Sequence, residues 1–246
     1  MEIKFDAKFE NGIYFLATPI GNLGDITLRG LSALNICDQI VCEDKRRLKK
    51  LLNHFKINYH DKKIILWNEI KDDKQKKINF LRKDKFIETF KGKITVFLSD
   101  NGTPLFSDPG HSFIRFIYDN NVDIKISPLP GCNSVASFVS VTGINKFKFL
   151  NFISKKNTYD DLSNELSNNN SVIFFESPHR FSKLKDVLYK LLLNHDLKVF
   201  IGRELTKRYE EVVYLNSMIH SGENMKRDLD DIECKGEFVI GIEMFN

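Results

Sequence analysis

The amino-acid sequence predicts an α/β protein built as two α/β domains. Two observations carry that expectation. Through the first half, short apolar runs alternate with helical patterns, which argues a mostly parallel sheet covered by helices. In the second half, beyond the break Pro128-Leu129-Pro130-Gly131, the last apolar runs follow one another closely, as antiparallel edge strands do. The domains are expected at 1–129 and 130–246, with a ligand cleft between them as the default site.

Ile13–Ala17 reads as a buried strand, and Ile26–Ile36 as a helix with Asp25 at its N-cap. Gln39–Cys42 is a strand, followed by a basic helix near Arg46–Phe55. Ile64–Trp67 is a strand, Asp72–Phe90 a helix closed by Gly92, and Lys93–Leu98 a strand opening into the polar loop Ser99–Gly110. A helix near Ser112–Tyr118 and a strand near Asp123–Ser127 complete the first half. In the second half, helices are expected at Asn133–Val141, Tyr159–Leu166 and Arg180–Leu193. Strands are expected near Phe147–Ile153, Val172–Phe175, Lys198–Ile201, Val212–Leu215 and Glu237–Phe245. Asn168-Asn169-Asn170-Ser171 reads as a turn, and a polar helix or loop fills the gap before the last strand.

The chain has 246 residues, 42% of them hydrophobic, so disorder is not expected. A chain of this length buries roughly 70–75% of its unfolded surface. A net charge of +4 excludes histone-like basicity and permits an anionic partner. Cys37, Cys42, Cys132 and Cys234 form no C-x-x-C pair, so neither a zinc framework nor a disulfide scaffold is expected and no metal is assigned. The first residues lack the basic-then-apolar order of a secretory signal, and no apolar stretch approaches a membrane span. A cytoplasmic protein without membrane contact is the expectation.

Five polar segments stand where a strand hands over to a helix, the edge at which open α/β sheets bind ligands. They are Thr18–Asp25, Cys42–Arg47, Ser99–Gly110, Phe175–Arg180 and Arg203–Arg208. Gly21 and Gly24 let the first turn tightly, yet it is neither a dinucleotide nor a P-loop pattern. An ordinary turn and a ligand loop both fit it. The long Ser99–Gly110 connection carries two Asp-containing turns, more than a turn requires, and Asp100 is placed to bond a ribose or neutralise a cation. Gly102 is expected to admit a cofactor close to the backbone, so that Gly102→Val blocks it and leaves the fold intact. Acids at Glu43 and Asp44 suit helix capping as well as chemistry. No G-x-S-x-G elbow, H-E-x-x-H or Walker cradle occurs, which leaves a nucleoside cofactor without a triphosphate as the better fit.

Ala17-Thr18-Pro19-Ile20-Gly21-Asn22-Leu23-Gly24-Asp25-Ile26-Thr27 resembles the N-terminal signature of the ribosomal RNA small-subunit methyltransferase I family. Those proteins are 16S rRNA (cytidine-2′-O)-methyltransferases, a branch of the tetrapyrrole methylase superfamily. Ser99-Asp100-x-Gly102-Thr103-Pro104 and Ser107-Asp108-Pro109-Gly110 resemble its central loop. Pro130-Gly131, Phe175–Arg180, Arg203–Lys207 and Lys235-Gly236-Glu237-Phe238 follow in the family's order. The chain departs at Lys45, where the family has Thr, at Asn101, where it has Ala, and at Cys132-Asn133 in place of Pro.

The resemblance implies a two-domain tetrapyrrole-methylase-like fold, S-adenosyl-L-methionine (SAM) as cofactor, and a homodimer. It implies a cytidine ribose in the decoding region of 16S rRNA, within the small ribosomal subunit, as substrate. The cofactor-binding candidates are Pro19, Asp100, Gly102, Thr103, Pro104, Ser134 and Phe175. The RNA-binding candidates are Arg46, His179, Arg180, Arg203 and Lys207. A ribose hydroxyl is a weak nucleophile and needs a proton acceptor. Glu43, Asp44, Glu176 and Glu204 are the available carboxylates, and Lys45 is another possibility if burial deprotonates it. Asp44, Lys45 and Glu176 are the catalytic candidates. Two other readings stay open: a same-fold methylase of a tetrapyrrole or other small molecule, and a catalytically silent RNA-binding assembly protein.

Overall fold

A computed structural model describes residues 8–67, 82–154, 156–168 and 171–245. The chain divides into two units, residues 1–133 and 134–246. The first holds five strands: β1 (Gly12–Leu16), β2 (Gln39–Cys42), β3 (Lys63–Leu66), β4 (Ile94–Leu98) and β5 (Ile126–Leu129). They pair in the order β3-β2-β4-β1-β5, and every pairing is parallel. A parallel sheet needs helices on both faces, which is why its strands read as continuous apolar runs. One face packs Tyr14, Leu16, Ile40 and Val96 against Ala33 and Leu34 of α1 (Leu28–Ile36) and Leu48 and Leu52 of α2 (Lys45–His54). The other packs Ile13, Val41 and Phe97 against α3 (Lys83–Phe90) and α4 (His111–Asp119).

Phenylalanine does much of the filling on that second face. The Phe113 ring centre lies 5.0 Å from Phe97, 5.2 Å from Phe86, 5.3 Å from Phe90 and 5.2 Å from Trp67, in edge and tilted geometries. Each such pair adds roughly 0.5–1.5 kcal/mol beyond its buried area.

Two local expectations change. Asp25 does not cap α1: it ends a short 3-10 turn, Leu23–Asp25, whose cap is Asn22, and Thr27 caps α1 by accepting from the Gly30 amide at 3.1 Å. The strand expected at Asp123–Ser127 starts later and continues through Pro128. Among the described residues β5 pairs only with β1, so the missing amide of Pro128 falls on a sheet edge, where proline is tolerated. Of the helix expected over Asp72–Phe90, residues 72–81 lie outside the described residues, as do 169–170 of the Asn turn.

The second unit holds a mixed sheet of β6 (Phe147–Phe152), β7 (Ser171–Glu176), β8 (Leu197–Arg203), β9 (Glu211–Asn216) and β10 (Phe238–Met244). Its order is β6-β7-β10-β8-β9, and among the described residues only β6–β7 is parallel; the late strands are antiparallel, but of them only β9 is an edge, and the last strand, β10, lies at the centre between β7 and β8 because it pairs on both sides. α6 (Thr158–Ser167), α7 (Pro178–Asn194) and α8 (Gly222–Asp231) cover one face through Leu162, Leu184, Leu188 and Leu229. On the other, Phe138 of α5 (Ser134–Thr142) lies where side chains at Gly202 and Gly241 would stand: a Cβ at either glycine would come within 2.8 Å of its ring. Among the described residues, no helix is long and apolar enough to cross a membrane.

Candidate active site

The carboxyl ends of β1, β2 and β4 deliver three of the predicted loops to one edge of the first sheet. Backbone pairing joins the first to the third: the Thr18 amide donates to the Gly102 carbonyl at 2.8 Å, and the Gly102 amide to the Thr18 carbonyl at 3.1 Å. The Thr18 hydroxyl donates to the Ser99 carbonyl at 3.3 Å, and the Ser99 hydroxyl to the Gly102 carbonyl at 3.1 Å. Gly102 holds φ at +77°, and a Cβ there would stand 3.1 Å from Ile20 Cγ2 and 3.5 Å from the Cys132 carbonyl oxygen. A side chain at position 102 would take a left-handed backbone and press on Ile20, so Gly102→Val would destabilise the fold as well as narrow the space beside it.

Two cavities flank this pairing. One, of about 260 Å³, is lined by Phe15, Ala17, Thr103, Pro104 and the Pro128–Gly131 segment, with no charged side chain in its lining. The Thr103 hydroxyl is fixed there by donating to the Cys132 carbonyl at 3.0 Å. The other, of about 460 Å³, is lined by Thr18, Pro19, Leu23, Leu51, Ser99 and Asn101 together with Arg47, Lys50 and Asp100. Of the cofactor candidates, Thr103 and Pro104 meet at the smaller cavity, Pro19 and Asp100 at the larger, and Gly102 sits in the pairing. Ser134, the first residue of α5, and Phe175, half-buried with its ring 5.1 Å from Phe149, belong to the second unit.

The loop after β2 is tied to the loop after β4 by reciprocal bonds. The Asp44 amide donates to Asp100 Oδ1 at 3.3 Å, and the Asp100 amide to Glu43 Oε1 at 3.2 Å. Arg47 Nε lies 3.3 Å from Asp100 Oδ2. Burial, with Asp108 nearby, pushes the Glu43 carboxyl up to about 7. Burial likewise raises Asp100 above its ordinary value and lifts Asp108 to about 6. Beyond Thr103 the loop is strained, with Leu105 at φ +67° and Ser107 at φ +69°.

The catalytic candidates fare differently. Asp44 caps α2, accepting from the Arg46 amide at 2.7 Å, and grips the Arg46 guanidinium at 2.7 Å. That hydrogen bonding holds its carboxyl down at about 2, far too low for a neutral-pH base. Lys45 is exposed at the start of α2, so the burial that was to deprotonate it does not occur. Glu176 is buried in the second unit, accepting from the Ser177 amide at 2.6 Å and facing Arg180 at 3.4 Å. Glu43, which is not among these three catalytic candidates, is the half-buried carboxylate that accepts from the Asp100 amide, with its carboxyl raised by burial. Its signal was present, an acid at a strand's carboxyl end, but nothing in the sequence separated it from its neighbour.

The RNA-binding candidates scatter. Arg46 is solvent-exposed, as is His179 on the first turn of α7. Arg180 donates to the Ile153 and Ser154 carbonyls at 2.8 and 3.3 Å, so its guanidinium ties β6 to α7. Arg203 is largely buried against Glu211 at 2.9 Å. Lys207 lies 2.8 Å from Glu204 and 3.0 Å from Glu237. Glu204 Oε1 also accepts from the Glu237 amide at 2.9 Å, so the Arg203–Lys207 and Lys235–Phe238 motifs lock to each other.

A five-stranded parallel sheet followed by a mixed five-stranded sheet, with loops converging at the first sheet's carboxyl edge, defines a class. Residues 12–217 match the model of the Tetrapyrrole (Corrin/Porphyrin) Methylases, to which the chain belongs, and it is a methyltransferase. Solved structures share the fold: diphthine synthase at TM-score 0.63 and 15% identity (94% of this chain, 89% of that one), and the methyltransferase CobJ at 0.62 and 12% (95% and 94%). The particular family follows from closer relatives, each named ribosomal RNA small subunit methyltransferase I. The protein of Mycoplasma genitalium is 35% identical over 237 residues, covering 94% of this chain and 79% of its own. That of Leptospira biflexa is 34% identical over 238 residues (94% and 91%), and that of Thermotoga maritima 36% over 204 (81% and 85%). The chain is a member of the ribosomal RNA small subunit methyltransferase I family.

Proposed function

We propose that the chain methylates the ribose 2′-hydroxyl of a cytidine in the decoding region of 16S rRNA, with SAM as methyl donor and the small subunit as substrate. The observation that carries this reading is the pair of cavities on either side of the Thr18–Gly102 pairing, one uncharged and one carrying both signs of charge. The smaller suits the sulfonium end of the donor, since its lining of aromatic, proline and other uncharged residues carries no cation to repel a sulfonium. Thr103 and Pro104 would hold the donor there, and when bound it supplies an electrophilic methyl carbon on a good leaving group.

The chain's own residues then have two tasks. One is alignment, which in well-oriented reactions supplies up to roughly 7–11 kcal/mol of barrier reduction. The Thr18–Gly102 bonds and the Glu43–Asp100 bond fix the walls that do it. The other is the proton that the hydroxyl loses as its oxygen takes the methyl carbon and the carbon–sulfur bond breaks. Asp100 faces the larger cavity and would accept the hydroxyl hydrogen bond. Glu43, titrating near neutrality behind it, keeps the pair responsive at working pH. The relatives' names, which specify ribosomal RNA of the small subunit, support RNA over a tetrapyrrole as substrate. The test is calorimetric titration with SAM together with transfer of labelled methyl to isolated small subunits. SAM binding without transfer to subunits would leave the silent-assembly reading in place.

A further inference from the structure

We infer that the solvent face of α2 is the surface through which the chain holds RNA, with Lys45, Arg46 and Lys49 on the phosphodiester backbone. The inference deepens the reading above, whose partner it seats on a surface, and rests on it for the choice of RNA. Its basis is the distribution of charge. Residues 45–56 carry six Lys and Arg and no acid, whereas the rest of the chain holds 31 basic and 33 acidic residues. The whole excess of positive charge therefore lies on one helix and the two residues after it. That placement costs the fold stability. Lys45, Arg46 and Arg47 fill a first turn without an acidic residue, where the helix dipole favours anions. Lys45 and Lys49, like Arg46 and Lys50, are like charges one turn apart, which destabilise a helix. The fold answers two of the six: Asp44 pairs with Arg46 at 2.7 Å and Asp100 with Arg47 at 3.3 Å. Lys45, Lys49, Lys50 and Lys56 make no ion pair among the described residues. A cluster that strains its own helix and is left mostly unneutralised raises a positive field for an anion from outside.

The helix also selects among anions. Its apolar side, Leu48, Leu51 and Leu52, is buried in the core of the first unit, so α2 has no apolar face to lay into a lipid surface. Lys45 and Lys49 stand in solvent, and the Arg46 side chain is 92% exposed. Ten residues make a helix about 15 Å long, which follows several successive phosphates of a strand instead of enclosing one small ion. α2 starts at the carboxyl edge of the sheet, where the Asp44 amide meets Asp100, so a strand lying along it leads to the converging loops. Lysines on a convex face grip backbone and read no base, which makes α2 a positioning surface and not a source of sequence choice. In the second unit, by contrast, Arg203 and Lys207 are already paired with Glu211 and Glu204.

The experiment follows binding of a labelled RNA duplex of unrelated sequence to the full-length protein, without SAM, between about 50 and 200 mM salt. It compares Lys45→Gln with Lys49→Gln in one chain against Lys85→Gln with Lys190→Gln in another, the latter being exposed lysines of α3 and α7. The α2 double variant should bind at least about tenfold more weakly at the lower salt and lose about two units of salt slope, one per phosphate contact. The control should keep its slope within about half a unit of the parent's. With repulsion relieved, the α2 variant should melt at the parent's temperature or about 1–2 °C above it. Polyglutamate of matched charge should compete at least about fivefold less well than RNA. Equal losses in the two double variants, an unchanged slope in the first, or a melting temperature that falls with its binding would overturn the assignment to α2. Polyglutamate competing as well as RNA would overturn RNA as the occupant. None of these readouts needs methyl transfer: binding through α2 without methylation of subunits would strike the proposed function alone, and methylation with an indifferent α2 would strike this surface alone.

Discussion

Gly236 sits where the two late motifs meet, and adding one methyl group there has a calculable effect. Its φ is +94°, and a Cβ would stand 2.4 Å from Glu204 Cγ and 2.6 Å from both Cδ and Oε1. Gly236→Ala therefore carries two costs. The left-handed backbone costs an alanine about 1–2 kcal/mol. Glu204 must also withdraw, losing its bonds to Lys207 Nζ at 2.8 Å and to the Glu237 amide at 2.9 Å. At a half-buried site these are worth about 1 kcal/mol each, so the variant should lose about 3–4 kcal/mol in all. Guanidinium unfolding, with hydrogen exchange read along β10, measures the loss. Repeating Gly236→Ala in a Glu204→Ala background removes the clash and leaves only the backbone cost. The two backgrounds should thus differ by about 2 kcal/mol. Equal losses in both, or a loss under 1 kcal/mol in the first, would refute the lock.

Other outcomes follow from the same geometry. Glu43 titrates near 7 in the folded chain against an ordinary 4.5, so its charged form is disfavoured by folding. The penalty is absent below the unfolded value, accumulates as pH rises from there to 7, and is complete above it. Glu43→Gln, which keeps the acceptor for the Asp100 amide, should therefore gain about 1–2 kcal/mol on the parent between pH 5 and 8, allowing for screening at a half-exposed site; a pH-independent difference would contradict the burial argument. Gly102→Ala should lower the stability of the first unit by about 1–2 kcal/mol through its φ of +77°, and Gly102→Val by more, read by the fluorescence of Trp67 during unfolding. Arg203→Ala should destabilise the second unit and leave the salt dependence of subunit binding unchanged. Arg46→Ala should leave stability unchanged and flatten that dependence by about one unit of slope if Arg46 meets a phosphate.

The alternation of strands and helices was legible because a doubly covered parallel sheet writes itself as uninterrupted apolar runs between amphipathic ones. The antiparallel character of the late strands was legible from their spacing. Local punctuation was less so. Asn22, Asp25 and Thr27 can each cap a helix, and only the 3-10 turn at Leu23–Asp25 decides which of them does. Pro128 reads as a break until the sheet order shows its strand to be an edge. In the site, the loops' convergence followed from the carboxyl-edge rule, but the division of labour did not. Asp44 and Glu43 are neighbours in sequence, yet one faces Arg46 in solvent and the other lies behind Asp100, and their carboxyls move in opposite directions. Arg203 and Lys207 look like RNA ligands in a basic run. Their partners, Glu211, Glu233 and Glu237, lie up to 30 residues away in the chain.

The most direct measurement is transfer of labelled methyl from SAM to assembled small subunits and to a short stem-loop of the decoding region, followed by nuclease mapping and mass analysis. A chain of net charge +4 has a weak electrostatic hold on naked RNA and should depend on the shape of the folded particle. The account predicts one methyl on a single cytidine ribose in subunits and a much slower reaction on the stem-loop. Label on a base, or no SAM-dependent label on subunits at all, would contradict it.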